Sequence, residues 1–185
     1  MTRLTLITIG CLVLSLIATA CSKPAENSAV ESPVASPSAQ RITSESVVKA
    51  MAQPVQIPLG GSAEAVVRVT IQSGYHINAN PPTYPYLKAT ALEIASGDGV
   101  SVAFVTYPKA VAKKFAFAEK PLAVYEGETE LRATLKADKA TKIGERSIPA
   151  HLRIQACDDQ VCYPPGTLEL AIPVNNNRQS VLKPS

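Results

Sequence analysis

Hydrophobic residues recur at every second position along much of this chain. Val67, Val69 and Ile71 alternate with Arg68 and Thr70, the period of a strand with one buried face. Leu92 and Ile94 flank Glu93 ahead of the turn Ser96-Gly97-Asp98-Gly99, and residues 100–107 are rich in β-branched and aromatic side chains. Leu131, Ala133 and Leu135 share a face within 130–136. Ile148, Leu152 and Ile154 do so within 148–155, and Leu168, Leu170 and Ile172 stand opposite Glu169 within 167–174. Gly, Pro, Asn and Asp clusters fill the intervals, which predicts an all-β, immunoglobulin-like sandwich. Residues 44–52 suit a helical turn or two as well as a strand. Asn80-Pro81-Pro82-Thr83-Tyr84-Pro85 has to be a connection, because adjacent prolines cannot donate to a sheet ladder. Fifteen prolines and no tryptophan fit such a loop-rich domain.

The first twenty residues break this pattern. Arg3 precedes an apolar run, Leu4 to Ile17, that ends in Ala18-Thr19-Ala20. This is the layout of an export signal, too short and wrongly flanked for a transmembrane helix. Cys21 follows the small tripeptide, so the junction resembles the lipobox of bacterial lipoproteins, with Ala18 where Leu is usual. Cleavage there leaves Cys21 as an acylated N-terminus; ordinary cleavage after Ala20 leaves it a free thiol. Residues 21–42 are rich in Ser, Pro, Ala and Glu without hydrophobic period, a composition that cannot offset its ordering entropy. They are expected to form a disordered linker, followed by one folded domain over 43–175 and a tail over 176–185. The chain is then tethered outside the cytoplasm through lipid alone.

Charge excludes little but is informative. Eighteen basic side chains lose Arg3 with the signal and face 15 acidic ones, a mature net of +2. That balance gives no reason to expect nucleic acid or a strongly anionic surface as partner.

Export implies an oxidising compartment. Cys11 leaves with the signal and Cys21 carries lipid, so the folded part retains two of the four cysteines, Cys157 and Cys162. They sit in Ala-Cys-Asp-Asp-Gln-Val-Cys-Tyr-Pro-Pro, at a turn between two strand-like runs. As a structural staple, a bridge over about six residues contributes about 2 kcal/mol in the chain-entropy model, against about 3 for fifteen. Asp158 and Asp159 place negative charge beside Cys157, which disfavours thiolate, and no helix N-terminus is in view to oppose them. Such a pair is a poor free nucleophile, suited to reacting with a docked partner that brings its own activated thiol. Pro164 and Pro165 stiffen the chain beyond Cys162 and remove two backbone donors.

Other chemistries find less support. A metal site needs three or four ligands, and the candidates are the two cysteines, His76, His151 and Met51, without metal-binding spacing. His151, beside apolar residues, reads as a framework histidine, and Lys109, Lys113 and Lys114 read as a solvated loop face. Gly-x-Ser-x-Gly is absent, and Gly60-Gly61 has no phosphate-loop context. Neither metal nor cofactor is expected.

The stretch from Leu152 to Pro165, with both cysteines, resembles the active-site hairpin of the N-terminal periplasmic domain of the thiol:disulfide interchange protein DsbD. Gly74-Tyr75-His76-Ile77-Asn78 and Leu122-Ala-Val-Tyr125-Glu-Gly127-Glu128 support the resemblance, which spans roughly 45–175. It implies an immunoglobulin-like protein thiol–disulfide oxidoreductase that needs no cofactor. Its electrons come from a thioredoxin-like donor fed by a membrane-embedded reductase. Its acceptors are oxidised periplasmic thiol proteins, such as disulfide isomerases and the thioredoxins of cytochrome c maturation. By position, Cys162 matches the cysteine that exchanges with the partner and Cys157 the resolving one. Tyr125 matches a cap tyrosine shielding the pair, and Tyr163 keeps the family's Cys-Tyr-Pro-Pro. The chain departs from the family in having four residues between the cysteines instead of five. It also has Val124 where the cap has Phe, so Phe115 or Phe117 would have to supply the missing cover.

Two functions follow. One is a membrane-anchored relay through the Cys157/Cys162 dithiol. The other is an immunoglobulin-like lipoprotein that binds an envelope partner and carries an inert bridge, since this fold hosts many unrelated functions.

Overall fold

The expected alternation folds into twelve strands in a computed structural model that describes residues 41–178. The expected export signal, Cys21, nearly all of the expected linker and residues from 179 lie outside the described residues, whereas Asn176 and Asn177, expected in the tail, are still in the last strand. Residues 44–52 hold both alternatives in succession. A single 3-10 turn, Glu45–Val47, leads into β1 (Val48–Ala52).

One sheet has the order β1-β3-β9-β6, with β3 at Ser62–Ile71, β9 at Glu128–Ala137 and β6 at Val100–Thr106. A second runs β2-β12-β10-β5, from β2 (Val55–Pro58), β12 (Gly166–Asn177), β10 (Gly144–Ile154) and β5 (Ala91–Ile94). Strand pairing is antiparallel except between β2 and β12. The inward sets Val67, Val69, Ile71, Leu131, Ala133 and Leu135 from the first sheet meet Ile148, Leu152, Ile154, Ile172 and Val174 from the second, all buried. This is the immunoglobulin-like sandwich the alternation predicts. The turn at 96–99 forms where expected: Gly97 and Val100 exchange both backbone hydrogen bonds around Asp98 and Gly99, which have φ of 52° and 78°. Positive φ at both central residues is the tight hairpin turn that Asp-Gly favours.

A third sheet, β11-β4-β8-β7, lies at the end of the sandwich where β3 and β10 finish and β9 begins. Its strands are short: β4 (His76–Asn78), β7 (Val111–Lys113), β8 (Leu122–Tyr125) and β11 (Ala156–Cys157). The register Ala156↔Ile77↔Tyr125 and the step to Cys157↔His76 decide which side chains share a face. Ile77, Tyr125 and Ala156 join the main core. Leu122 and Val124 join a separate cluster with Phe115, packed by Tyr84, Leu87 and Ala118. The central strands β4 and β8 are therefore covered on both sides, while the edge strand β7 is largely exposed. No helix among the described residues is long and apolar enough to cross a membrane.

Candidate redox site

Cys157 ends β11 and Cys162 pairs with it across a tight turn. The backbone bonds Asp158 N–H to Val161 O (2.9 Å) and Tyr163 N–H to Ala156 O (2.8 Å) bracket the pair. The two cysteines thus face each other across the hairpin, with Cα atoms 3.9 Å apart, and are joined as a disulfide with an S–S distance of 1.97 Å. Cys157 is wholly buried, whereas Cys162 is half-buried.

Asp158 builds this turn as well as charging it. Its Oδ1 accepts from the backbone N–H of Gln160 (2.7 Å) and Val161 (2.8 Å), and its Oδ2 from the Tyr163 hydroxyl (2.6 Å). These bonds, led by that of Tyr163, hold the carboxyl below its usual range. The same bond to Asp158, with burial behind it, pushes the Tyr163 hydroxyl up to about 12. Tyr163 leans on Tyr75, with ring centroids 6.1 Å apart.

Two polar side chains fasten the hairpin's base. The Ser44 hydroxyl, fully buried, donates to Pro164 O (2.6 Å) and accepts from Ala156 N–H (2.9 Å). Gln155 donates to Tyr163 O (3.2 Å) and accepts from Asn78 Nδ2 (3.0 Å) and Lys88 N–H (2.9 Å). Glu45 reaches Thr167 N–H at 3.2 Å, and a Cβ at Gly166 would run into its carboxylate. Pro164 thus does more than interrupt pairing, because its carbonyl receives the Ser44 bond.

The disulfide sits on the outer face of the third sheet. Val124 and Tyr125 separate here. Val124 is on the cysteine side, buried against Phe115 and Leu122. Tyr125 points into the sandwich, where its hydroxyl accepts from Asn80 N–H (3.1 Å) and burial raises its pKa. The register therefore does not bring Tyr125 beside the cysteines. Phe115 stacks on His76 at 4.2 Å and on Phe117 at 5.3 Å, and Phe117 lines the surface beside Cys162. Beside Cys162 an apolar hollow of about 330 Å³ is lined by Tyr86, Leu87, Phe117, Leu122 and Val161. Tyr86, Phe117 and Val161 are 70%, 43% and 51% exposed, a concentration of apolar surface at the reachable sulfur.

Two expectations change. Lys113 is not on a solvated loop: it ends β7, half-buried, 3.3 Å from Glu126 and 3.8 Å from Asp159, with its amine 5.6 Å from the Phe115 ring centre. Lys114 lies on the exposed loop as expected, where it donates to the carbonyls of Ala118 and Glu119. His151 is exposed on β10, its Nδ1 4.0 Å from Glu169, because it alternates with buried Ala150 and Leu152. The histidine that is buried is His76, directly opposite Cys157 on β4, with neither ring nitrogen hydrogen-bonded. Burial, reinforced by Lys113, lowers its pKa to about 4. No group of three or more His, Cys, Asp or Glu is arranged to hold a metal ion among the described residues.

Residues 43–173 match the family model of the N-terminal domain of thiol:disulfide interchange protein DsbD. The chain belongs to that family. As a DsbD N-terminal-type domain it is a thiol–disulfide interchange domain, and the cysteine pair among its described residues is the bonded one described above. No curated protein matches the chain in sequence. Among solved structures, the N-terminal periplasmic domain of ScsB from Proteus mirabilis is 16% identical with a TM-score of 0.46, over 69% of this chain and 45% of that one. The chain thus spans less than half the length of the ScsB structure. The seventh ScaB type I cohesin from Pseudobacteroides cellulosolvens is 8% identical with a TM-score of 0.44, over 75% of this chain and 97% of that one.

Proposed function

We propose that this domain is an extracytoplasmic thiol–disulfide relay that passes electrons through Cys157 and Cys162 to oxidised envelope proteins. The observation that carries the reading is the asymmetry of the bridge. Cys157 is sealed in the sheet, while Cys162 borders an exposed apolar hollow. A structural staple has no need of one approachable sulfur surrounded by exposed aromatic surface; exchange with a docked protein does.

The oxidised domain is recharged by a thioredoxin-like donor. The donor thiolate attacks Cys162 Sγ, a mixed disulfide forms, and the bond's electron pair leaves on Cys157 Sγ. The donor's second thiol then resolves the mixed disulfide, leaving the domain as dithiol and the donor oxidised. In delivery, the Cys162 thiolate attacks an acceptor disulfide and Cys157 resolves the intermediate, restoring the bridge and releasing the acceptor as dithiol. The hollow receives the partner's surface beside its reactive cysteine. The donor's electrons originate in a membrane-embedded reductase, and the acceptors are oxidised periplasmic thiol proteins, cytochrome c maturation thioredoxins among them. Lipid on Cys21 tethers the domain, with residues 22–42 as spacer.

The reduction potential tests this directly. Equilibration in thiol buffers, with the reduced fraction counted by alkylation and mass, should give a value between about −180 and −270 mV. A potential below about −300 mV is that of a structural bridge and leaves the lipoprotein binding module as the function. Cys162→Ser should abolish transfer; unchanged transfer refutes the assignment.

A further inference from the structure

His76 is fully buried, yet neither Nδ1 nor Nε2 has a hydrogen-bond partner. Buried polar atoms are nearly always paired, so an orphaned imidazole requires an account. Its position supplies one. His76 and Cys157 are directly opposed residues of antiparallel strands, so their side chains leave the sheet on the same face as near neighbours. Stacking on Phe115 holds the ring there.

A disulfide has no hydrogen to donate and is a weak acceptor, so a closed bridge leaves the imidazole without a partner. Opening the bridge changes that. The broken S–S bond leaves its electron pair on Cys157 Sγ, a thiolate in a buried site. Asp158 and Asp159 follow it in the chain, and burial and like charge both disfavour that anion. A thiolate accepts a hydrogen bond and a thiol donates one; imidazole can do the reverse of each at its two nitrogens.

We propose that His76 is the proton partner of Cys157, bonding the thiolate that leaves when the bridge opens and accepting the thiol proton when Cys157 attacks to close it. On opening, one proton from solvent neutralises the pair and resides on Cys157 Sγ or on the ring. On closing, that proton passes through the ring to solvent as the sulfur becomes nucleophilic. The charged groups that face the ring are Lys113 from β7, Glu126 beyond β8, and Asp158 and Asp159 from the cysteine turn. With the bridge closed, burial and Lys113 keep the ring neutral down to about pH 4, so it is uncharged when a partner arrives. This inference rests on the exchange reading, but its test does not need a biological partner.

The experiment is an NMR titration of the imidazole in the disulfide domain and in the same domain reduced with excess dithiothreitol. The chain has two histidines, and His151→Gln assigns the signals. At the acid pH where the ring titrates, Cys157 is a neutral thiol that donates to it and favours the uncharged imidazole. The expected result is therefore a His76 midpoint lower in the reduced form by roughly half a unit or more, with that of His151 unmoved. In Cys162→Ser, thiolate absorbance should show the Cys157 titration rising by a similar amount when His76 is replaced by Phe, and recovering in part with His76→Gln. Phe keeps the ring stack but no nitrogen; Gln keeps a donor and an acceptor. Equal His76 midpoints in both redox states overturn the proposal, and that arm needs no substitution at the site. A potential below −300 mV with a shifted His76 sinks the relay alone; an exchange-range potential with an unshifted His76 sinks this inference alone.

Discussion

Replacing Ser44 by Ala should destabilise the domain by about 2 to 3 kcal/mol, a large effect for one small hydroxyl far in sequence from the cysteines. The Ser44 hydroxyl is fully buried and makes two bonds, to Pro164 O at 2.6 Å and from Ala156 N–H at 2.9 Å. Each is worth about 1 kcal/mol net, and Ala156 N–H, left buried without a partner, adds a desolvation cost of similar size. The side chain removed is a single oxygen, so no sizeable cavity contributes. The assay is urea denaturation of the oxidised domain, with Ser44→Thr as the variant that keeps a hydroxyl. The midpoint should fall with m unchanged, and the melting temperature should drop by about 6 to 9 °C for a domain of this size. Hydrogen exchange at the Ala156 amide should accelerate more than exchange in the centre of β9. A loss below about 0.5 kcal/mol would show that the bonds do not both form in solution, and the argument that Ser44 ties the hairpin to the chain's entry would fail.

Other predictions follow from the same geometry. Phe115→Ala removes a buried ring from the outer cluster and should cost about 3 to 4 kcal/mol; reduction of the bridge by dithiothreitol should quicken, measured by quenched alkylation. His76 has a folded pKa of about 4 against an ordinary 6.5, so the unfolded chain takes up its proton first on acidification. Stability carried above pH 6.5 is therefore lost as pH falls towards 4, by at most about 3 kcal/mol, and His76→Phe should flatten that slope in urea titrations. The Tyr163 hydroxyl, raised to about 12 by its bond to Asp158, favours folding fully below pH 10, and this contribution is lost as pH rises towards 12. Tyr163→Phe should remove that alkaline slope. It should also move the Asp158 midpoint upward in NMR titration, because the hydroxyl is the leading cause of the depressed carboxyl.

The long strands were legible because each has one wet face and one dry face. Period two in Val67-Val69-Ile71 or Leu131-Ala133-Leu135 reports that difference directly. The third sheet gave no such signal, since its strands are two to four residues long and the central ones are covered on both sides: β4 is buried at all three positions. The cysteines could be found by counting, but the face they occupy depends on register, which local sequence does not contain. Val124 and Tyr125 are adjacent, yet the sheet sends them to opposite sides, one to the cysteine cluster and one to the sandwich. His151 was misread as a framework histidine from its apolar neighbours, although its alternation with Ala150 and Leu152 carried the strand parity that turns it outward. His76 was not, because the absence of a partner for a buried ring is a property of the folded surroundings. Lys113 escaped for a related reason, since Glu126 and Asp159 reach it only when β7 pairs with β8 and the cysteine turn folds over.

The Ser44 tie also gives the domain a polarity useful to anyone attaching something to it. The chain enters beside the cysteine hairpin, and the last strand starts there, at Gly166, and runs to Asn177. At about 3.3 Å per residue, twelve residues carry the exit to the far end, roughly 36 Å away. A fluorophore, surface linker or fused module placed after Asn177 stands clear of the sulfur that partners must reach. The same cargo placed just before Ser44 crowds it, and any pull on that end acts first on the hydroxyl holding the hairpin's base.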